Sequence, residues 1–203
     1  MDRRHFVKIM AAAGLATAAG AGTASAATSS AKGKIVVVGG GAAGISTAAK
    51  LLRRLENPDI TIIDPSDLHY YQPGFTLIAG GVYGTDDVYK KQADCIPDGA
   101  KWIKDTVIEV DPEKNKVVTS KNGTIDYDFL VLAPGLQINW GGVEGISREK
   151  LGEGDAYCIY DHQGAIRTWD GMQKFARNGG RGIYTRSISA AEPQKRYACL
   201  PSI

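Results

Sequence analysis

Three glycines and one acid have the spacing in this sequence that points most directly to chemistry. Gly39, Gly41 and Gly44 fall on a Gly-x-Gly-x-x-Gly pattern, and Asp64 follows the last of them by 20 residues. In such a motif the first glycine makes a tight turn, the second lets a phosphate approach the backbone, and the third lets a helix pack on a strand. The acid is placed to accept a hydrogen bond from a ribose hydroxyl. The pattern predicts a dinucleotide site in which a helix N-terminus faces a pyrophosphate.

The segments around the glycines have the composition that this site requires. A β-branched run at 35–38 precedes them, a helical pattern follows at 45–55, and a second apolar run at 60–63 ends at the acid. A strand, a turn, a helix and a strand in this order begin a doubly wound α/β fold. The alternative is a glycine-rich turn that binds no ligand.

The rest of the chain continues the alternation of strands and helices. Strands are predicted at 106–110 and in a hairpin around the turn Asn122-Gly123, and a buried strand is predicted at 128–132. A short helix is predicted at 85–91. An amphipathic helix is predicted at 161–178, with apolar residues along one face.

Residues 1–26 have the layout of an export signal. The segment 3–8, Arg-Arg-His-Phe-Val-Lys, resembles a twin-arginine signal, and the weakly apolar stretch 9–22 is too short for a transmembrane helix. Ala24-Ser25-Ala26 fits a cleavage site, so we expect a periplasmic protein that starts near residue 27. An ordinary secretory signal with a chance arginine pair is the alternative.

The charge balance and the cysteine content exclude several classes of function. The chain has 24 basic and 22 acidic residues, and three of the basic ones lie in the first eight positions. This balance argues against a nucleic-acid partner and against a membrane-binding surface. Cys95, Cys158 and Cys199 lack metal-ligand spacing, so we expect no metal site, and their odd number leaves at least one thiol unpaired within the chain.

Two loop sequences make a family resemblance specific. The segment 70–76 reads Tyr-Tyr-Gln-Pro-Gly-Phe-Thr, and the segment 133–140 reads Ala-Pro-Gly-Leu-Gln-Ile-Asn-Trp. With the glycine motif and its acid, they resemble sulfide:quinone oxidoreductases and the related flavoprotein subunit of flavocytochrome c sulfide dehydrogenase. The resemblance runs from about Lys34 to Thr185.

The resemblance implies a Rossmann-like FAD-binding domain that is incomplete, with its N-terminal part at 27–150. A second dinucleotide-binding domain would begin at 151–185. The glycines and Asp64 would hold the ADP half of FAD, while Pro73 and Gly135 would line the cleft. The full set of implied FAD-binding residues is Gly39, Gly41, Ala42, Ala43, Gly44, Asp64, Pro65, Pro73, Ala133 and Gly135.

The resemblance also implies an activity. Sulfide would be oxidised to sulfur, and the electrons would pass through the flavin to a quinone or a c-type cytochrome. Cys158 lies where the first family cysteine stands and would have an auxiliary catalytic role; the alternative is a small buried apolar cysteine. A second enzyme candidate is an NADH dehydrogenase-like flavoprotein, against which export argues because NADH is cytoplasmic. Contact with a membrane would come through a C-terminal region that this sequence lacks.

Residues 186–203 depart from the family pattern. The second family cysteine is expected soon after Thr185, in a segment like Lys-Cys-Gly-Gly-Ala-Pro-Lys-Lys, but residues 189–196 read Ser-Ala-Ala-Glu-Pro-Gln-Lys-Arg. A shift of one base in the reading frame is compatible with both readings, so we interpret this segment as an out-of-frame tail. The chain would then be a truncated, inactive FAD-binding module or pseudogene product, with weak FAD binding at best and no sulfide turnover by itself.

Overall fold

The structure is a computed structural model that describes residues 29–30, 32–185 and the backbone of 197–199. In chain order the helices and strands are β1 (Lys34–Val38), α1 (Ala42–Arg54), β2 (Asp59–Ile63), β3 (Leu68–Tyr70), α2 (Phe75–Ala79), β4 (Tyr89–Lys91), β5 (Ala100–Ile103), β6 (Val107–Asp111), β7 (Lys116–Thr119), β8 (Gly123–Asp126), β9 (Phe129–Leu132), α3 (His162–Asn178), β10 (Ile183–Thr185) and β11 (Tyr197–Cys199). Short 3₁₀ turns lie at Gln72–Gly74, Gln92–Cys95 and Trp140–Gly142.

A four-stranded parallel sheet with the order β5-β2-β1-β9 forms the centre of the fold. Val36 of β1 lies between Thr61 of β2 and Leu130 of β9. The chain leaves β1 toward β2 and later returns to its other side as β9, so the strand order reverses at β1. In doubly wound folds such a reversal opens a binding crevice at the carboxyl ends of the strands. The α/β, Rossmann-like fold class predicted from the sequence is therefore confirmed.

Different layers cover the two faces of the sheet. Ile35 and Val37 of β1 pack against Ala48 of α1, while Val36 packs with Val117 on the opposite face. That opposite face is covered by an antiparallel meander formed by β6, β7 and β8. Alternate side chains of a strand point to opposite faces, so a run of β-branched residues in β1 fills both cores.

A buried carboxylate fixes the turn of the meander. Asp105 is 2% exposed, and it accepts hydrogen bonds from the Ser120 hydroxyl and from the backbone N–H groups of Thr106, Lys121 and Asn122. The Ser120 hydroxyl above all, together with the Asn122 side chain and the backbone donors, holds the pKa of Asp105 well below its usual range.

A second, smaller core joins α2 to α3. Phe75, Ile78 and Ala79 of α2 pack with Ala165 of α3. Asp161 caps α3, because its Oδ1 atom accepts a hydrogen bond from the Gly164 N–H at 2.9 Å. The helix predicted at 161–178 is confirmed.

Two sequence predictions about local structure are wrong. Residues 85–88 form a turn and β4 follows, where a helix was predicted at 85–91, because Asp87 Oδ2 accepts a hydrogen bond from Gly84 N–H and favours the turn. The strand β9 forms as predicted but is not buried: Phe129 is 58% exposed and Leu132 is 61% exposed. Among the described residues β9 is an edge strand, paired with β1 alone.

Several predictions fall outside the described residues. The signal at 1–26 lies outside them, and so does most of the segment 186–203. Within that segment, the backbone of β11 pairs antiparallel with β10. The helices of the described part of the chain include none with the length and hydropathy that a membrane span requires.

Candidate functional site

The turn between β1 and α1 is held between the ends of the neighbouring strands. Gly39 has φ +104°, a conformation that favours glycine, and its N–H donates to the Ile63 carbonyl at 2.9 Å. A Cβ at this position would overlap the carbonyl oxygen of Ala133. Ala133 itself is fixed, since its N–H donates to the Val38 carbonyl at 2.8 Å. The structure thus brings together two of the predicted site residues.

The other two motif glycines differ in their surroundings. A Cβ on Gly44 would overlap the carbonyl oxygen of Gly39, so this glycine lets α1 pack directly on the turn. A Cβ on Gly41 would meet no described atom within 4 Å, so none of the described residues fills the space in front of it. The turn is therefore closely packed where Gly44 meets Gly39, and it is accessible at Gly41, where the helix begins.

The N-terminus of α1 has the properties of an anion site. Gly41, Ala42 and Ala43 are exposed, and the first N–H groups of a helix have no acceptor within the helix. Its first turn contains no acidic residue and its N-cap makes no side-chain hydrogen bond. The N–H groups and the positive end of the helix dipole can therefore face a phosphate group.

Asp64 lies beside this turn, at the carboxyl end of β2. Its Oδ2 atom accepts a hydrogen bond from the Gly40 N–H at 2.6 Å, and its Oδ1 atom accepts one from the Ser66 N–H at 2.8 Å. Because each carboxylate oxygen accepts about two hydrogen bonds, both oxygens keep capacity for a ribose hydroxyl. The predicted pairing of the acid with the glycine turn is present in the structure.

Three further side chains contact the turn and its acid, and sequence reasoning missed their roles. Gln92 is 1% exposed and its Nε2 atom donates to the Gly40 carbonyl at 2.8 Å. His69 Nδ1 approaches the same carbonyl at 3.2 Å, and Trp102 Nε1 donates to the Asp64 carbonyl at 3.0 Å. The motif allows any residue at position 40, so the glycine found there was the one sequence feature that could have indicated a side chain packed against the turn.

The remaining predicted FAD-binding residues are exposed. Pro65 follows the acid, and Pro73 lies in the 3₁₀ turn at Gln72–Gly74. Gly135 has φ +78°, and a Cβ there would meet no described atom within 4 Å. None of the hydrogen bonds between described residues joins Pro73 or Gly135 to the glycine turn.

Cys158 belongs to a different part of the molecule. This half-buried free thiol precedes α3, and its sulfur lies 3.5 Å from the Tyr160 N–H. Its carbonyl oxygen lies so near Gly164 that a Cβ there would overlap it. Within the described residues, no cluster of His, Cys, Asp and Glu could hold a metal ion.

Comparisons with known proteins identify the family. The family model described as pyridine nucleotide-disulphide oxidoreductase matches residues 33–181. The mitochondrial sulfide:quinone oxidoreductase of Dictyostelium discoideum is 41% identical over 153 residues, which are 75% of this chain and 33% of that protein. The type II NADH:quinone oxidoreductase of Staphylococcus haemolyticus is 32% identical over 116 residues, 56% of this chain and 29% of that protein.

A solved structure agrees with these relatives. The sulfide:quinone oxidoreductase of Aquifex aeolicus has a TM-score of 0.57 and 27% identity, and the match covers 73% of this chain and 33% of that one. This chain spans about a third of the length of its sulfide:quinone oxidoreductase relatives (33% of the Dictyostelium protein). These relatives are FAD-binding flavoproteins, which confirms the expectation of FAD. The chain belongs to the pyridine nucleotide-disulphide oxidoreductase family.

Proposed function

We propose that this chain forms the ADP-binding part of the FAD site in a flavoprotein that oxidises sulfide and reduces a quinone. The observation that carries the proposal is the open N-terminus of α1 in front of Gly41, with Asp64 beside it. The choice of sulfide and quinone rests on the relatives named sulfide:quinone oxidoreductase, which are up to 41% identical.

The residues present fit the ADP half of FAD. The N–H groups of Gly41, Ala42 and Ala43 would bind the pyrophosphate, and Asp64 would accept hydrogen bonds from the adenosine ribose. Gly39, Gly44 and Ala133 keep the turn in the shape that this contact needs, as their packing indicates. The exposed residues assigned to the rest of the cleft are Pro65, Pro73 and Gly135.

The chemistry would be divided between the cofactor and the chain. FAD supplies a two-electron acceptor when it is bound. The chain binds the cofactor by its ADP end and so fixes where the reactive ring lies. We assign Cys158 an auxiliary place in handling sulfur, because it is a free thiol at the position of the first cysteine in the family that the sequence resembles.

A second candidate function is oxidation of NADH. It is supported by the type II NADH:quinone oxidoreductases among the relatives, at 32% identity over 116 residues. An FAD-binding module without activity is the non-enzyme alternative. For the acceptor we favour a quinone, which both groups of relatives carry in their names, and a c-type cytochrome is the alternative.

Periplasmic location by the twin-arginine route is a further part of the proposal. It is supported by Arg3-Arg4 with Phe6 and Lys8, and by the small residues at 24–26. A reporter fused to residues 1–30 should be exported, and replacing both arginines with lysine should keep it in the cytoplasm. Export of the double-lysine variant at the normal level would instead indicate the ordinary secretory route.

The experiment that tests the function begins with binding of FAD to the purified full chain, measured by the change in flavin fluorescence. Asp64→Asn should weaken binding about tenfold, because a charged acceptor contributes more than a neutral one to a ribose hydroxyl. Asp155→Asn, at an exposed position away from the turn, is the matched control.

Anaerobic addition of sulfide or NADH to the loaded chain then separates the candidates. Loss of visible flavin absorbance with sulfide supports the proposed function. Loss with NADH alone supports the second candidate and overturns the first. Binding of FAD without reduction by either donor favours the inactive module, and failure to bind FAD contradicts the proposed site.

A further inference from the structure

Gly40 stands at a position that the glycine motif leaves open, yet both of its backbone polar groups are occupied. Its N–H donates to Asp64 Oδ2 at 2.6 Å, and its carbonyl oxygen accepts from Gln92 Nε2 at 2.8 Å. His69 Nδ1 adds a longer contact to the same oxygen at 3.2 Å, in which the nitrogen must be the donor because a carbonyl can only accept.

Gln92 reaches this carbonyl from a distant part of the chain. It begins the 3₁₀ turn after β4, and it lies 52 residues from Gly40 in sequence. Its side chain is 1% exposed, and its backbone is anchored because its N–H donates to the Asp67 carbonyl at 2.8 Å. A buried amide with a fixed backbone has little freedom, so its donor is held in one place.

The Gln92 amide occupies the space that a side chain at position 40 would need. A Cβ on Gly40 would overlap Gln92 Nε2 and would lie 2.9 Å from Asp64 Cβ. Gly41, the next residue, has open space at the same point. The absence of a side chain at position 40 therefore makes room for the Gln92 amide, whereas at position 41 it leaves room for a ligand.

The carbonyl of Gly40 and the N–H of Gly41 belong to one planar peptide unit. In a trans peptide these two groups point in opposite directions, so holding the oxygen also sets the direction of the hydrogen. Two donors hold the oxygen on the inner side of the turn. The Gly41 N–H is thereby turned outward, to the start of α1 where the anion site lies.

We infer that Gln92 is a positioning residue that aims the Gly41 N–H at the pyrophosphate of the bound dinucleotide. The identity of the ligand rests on the proposed function, while the effect of Gln92 on the turn does not. Gln92 is the stronger of the two donors, because its contact is shorter and its side chain is more deeply buried than that of His69.

The test compares two substitutions of Gln92 with a matched control. Gln92→Met keeps the length of the side chain and removes the donor. Thr119→Val removes another buried hydrogen bond, from Thr119 Oγ1 to the Gly123 carbonyl at 2.9 Å, in the meander away from the turn. Thr119 Oγ1 also accepts from the Asn122 N–H at 3.2 Å, so Thr119→Val loses two hydrogen bonds where Gln92→Met loses one. A general loss of stability should therefore show in the control as well, whereas an effect on the turn should not.

Two readouts are measured on the full chain. In the absence of FAD, amide hydrogen exchange of the segment 39–44 should be faster in Gln92→Met than in the wild type or in Thr119→Val. On titration with FAD, Gln92→Met should show a Kd raised about tenfold, since one ligand-facing donor is no longer aimed. Thr119→Val should stay within about twofold of the wild type.

Gln92→Glu supplies a signature that loss of packing cannot imitate. A protonated carboxyl group can donate to the Gly40 carbonyl, whereas a carboxylate cannot and repels it. The ratio of its Kd to the wild-type Kd should therefore fall as the pH is lowered from about 8 to about 5.5. The same ratio for Gln92→Met should stay constant. Asp64 and His69 also contact Gly40, but Gln92→Met retains both side chains, so comparing the two ratios separates their effect from that of the new carboxyl group.

The outcomes that overturn the inference are distinct from those that overturn the function. If amide hydrogen exchange of the segment 39–44 is the same in Gln92→Met as in the wild type, the positioning role is refuted, whether or not FAD binds. An unchanged Kd in Gln92→Met, or a ratio for Gln92→Glu that does not depend on pH, refutes it as well. If the wild-type chain fails to bind FAD, the proposed function fails, while hydrogen exchange still decides the role of Gln92.

Discussion

The glycine turn after β1 and the segment from Ala133 to Tyr160 both contain residues that the sequence assigns to the functional site, but they are built differently. In the turn, Gly39 and Gly44 are closely packed, and Gly40 is hydrogen-bonded on both sides. In the later segment, Leu136 is 97% exposed, and a Cβ on Gly135 would meet no described atom within 4 Å. The described residues therefore preorganise the glycine turn, the proposed ADP end of the site, and hold the later segment through fewer contacts.

The difference has a physical origin in the sheet. The turn lies at the carboxyl end of β1, the strand at which the order reverses, so β2 and the end of β9 enclose it from both sides. The later segment follows β9, which is an edge strand in the described residues and pairs with β1 alone. Affinity for the cofactor should accordingly depend on the turn far more than on the later segment.

The largest expected effect comes from filling the tightest point of the turn. Gly44→Ala places a methyl group on the Gly39 carbonyl, and overpacking of this kind costs about 3 kcal/mol of the free energy of unfolding. FAD binding should be lost with it. Gly154→Ala, in the open later segment, should change the free energy of unfolding by less than about 0.5 kcal/mol. Urea denaturation measures both free energies of unfolding. Equal stability of the two variants would contradict the difference in packing between the turn and the later segment.

The next largest effect is expected in the meander that covers the opposite face of the sheet from α1. Asp105→Asn replaces an acceptor oxygen by a donor among N–H groups, so it should lower the thermal unfolding midpoint at neutral pH. Because the pKa of Asp105 is lowered by folding, its contribution is present above the unfolded value of about 4 and is lost as the pH falls below it.

The difference in unfolding midpoint between the wild type and Asp105→Asn should therefore be largest above pH 4 and shrink toward lower pH. Asp155→Asn, at an exposed carboxylate, is the control for a general change of charge. Parallel curves for the wild type and Asp105→Asn would show that this carboxylate does not carry the acid sensitivity.

A smaller effect is expected at Gly41, where a substitution should weaken FAD binding with little change in stability. Gly41 has φ −73° and ψ −176°, an extended conformation that any residue adopts, and the space in front of it is open. Gly41→Ala should change the free energy of unfolding by less than about 1 kcal/mol. Its methyl group should raise the Kd for FAD about tenfold, because the backbone must approach the phosphate closely. A normal Kd, measured by fluorescence titration, would place the phosphate elsewhere.

The smallest effect is expected in the later segment. Cys158→Ser should leave the Kd for FAD within about twofold and the free energy of unfolding within about 1 kcal/mol, because the sulfur makes one weak contact, 3.5 Å from the Tyr160 N–H. Cys95→Ser is the matched control for a half-buried free thiol. A tenfold weaker binding in Cys158→Ser alone would show that the later segment contributes to the ADP end.

The same contrast explains what the sequence could predict. The glycines and Asp64 were identified because their roles follow from spacing along one strand, turn and helix. Gln92 was missed because its partner lies 52 residues away, and no local pattern links the two. The exposure of β9 was mispredicted because an apolar run has the same composition at the edge of a sheet as at its centre.

We propose above that the glycine turn binds the ADP half of a dinucleotide cofactor. It is tested most directly by competition on the purified chain, with FAD bound first and either ADP or riboflavin then added. If the turn holds the ADP half, ADP should displace FAD and riboflavin should not. Displacement by riboflavin without displacement by ADP would contradict it.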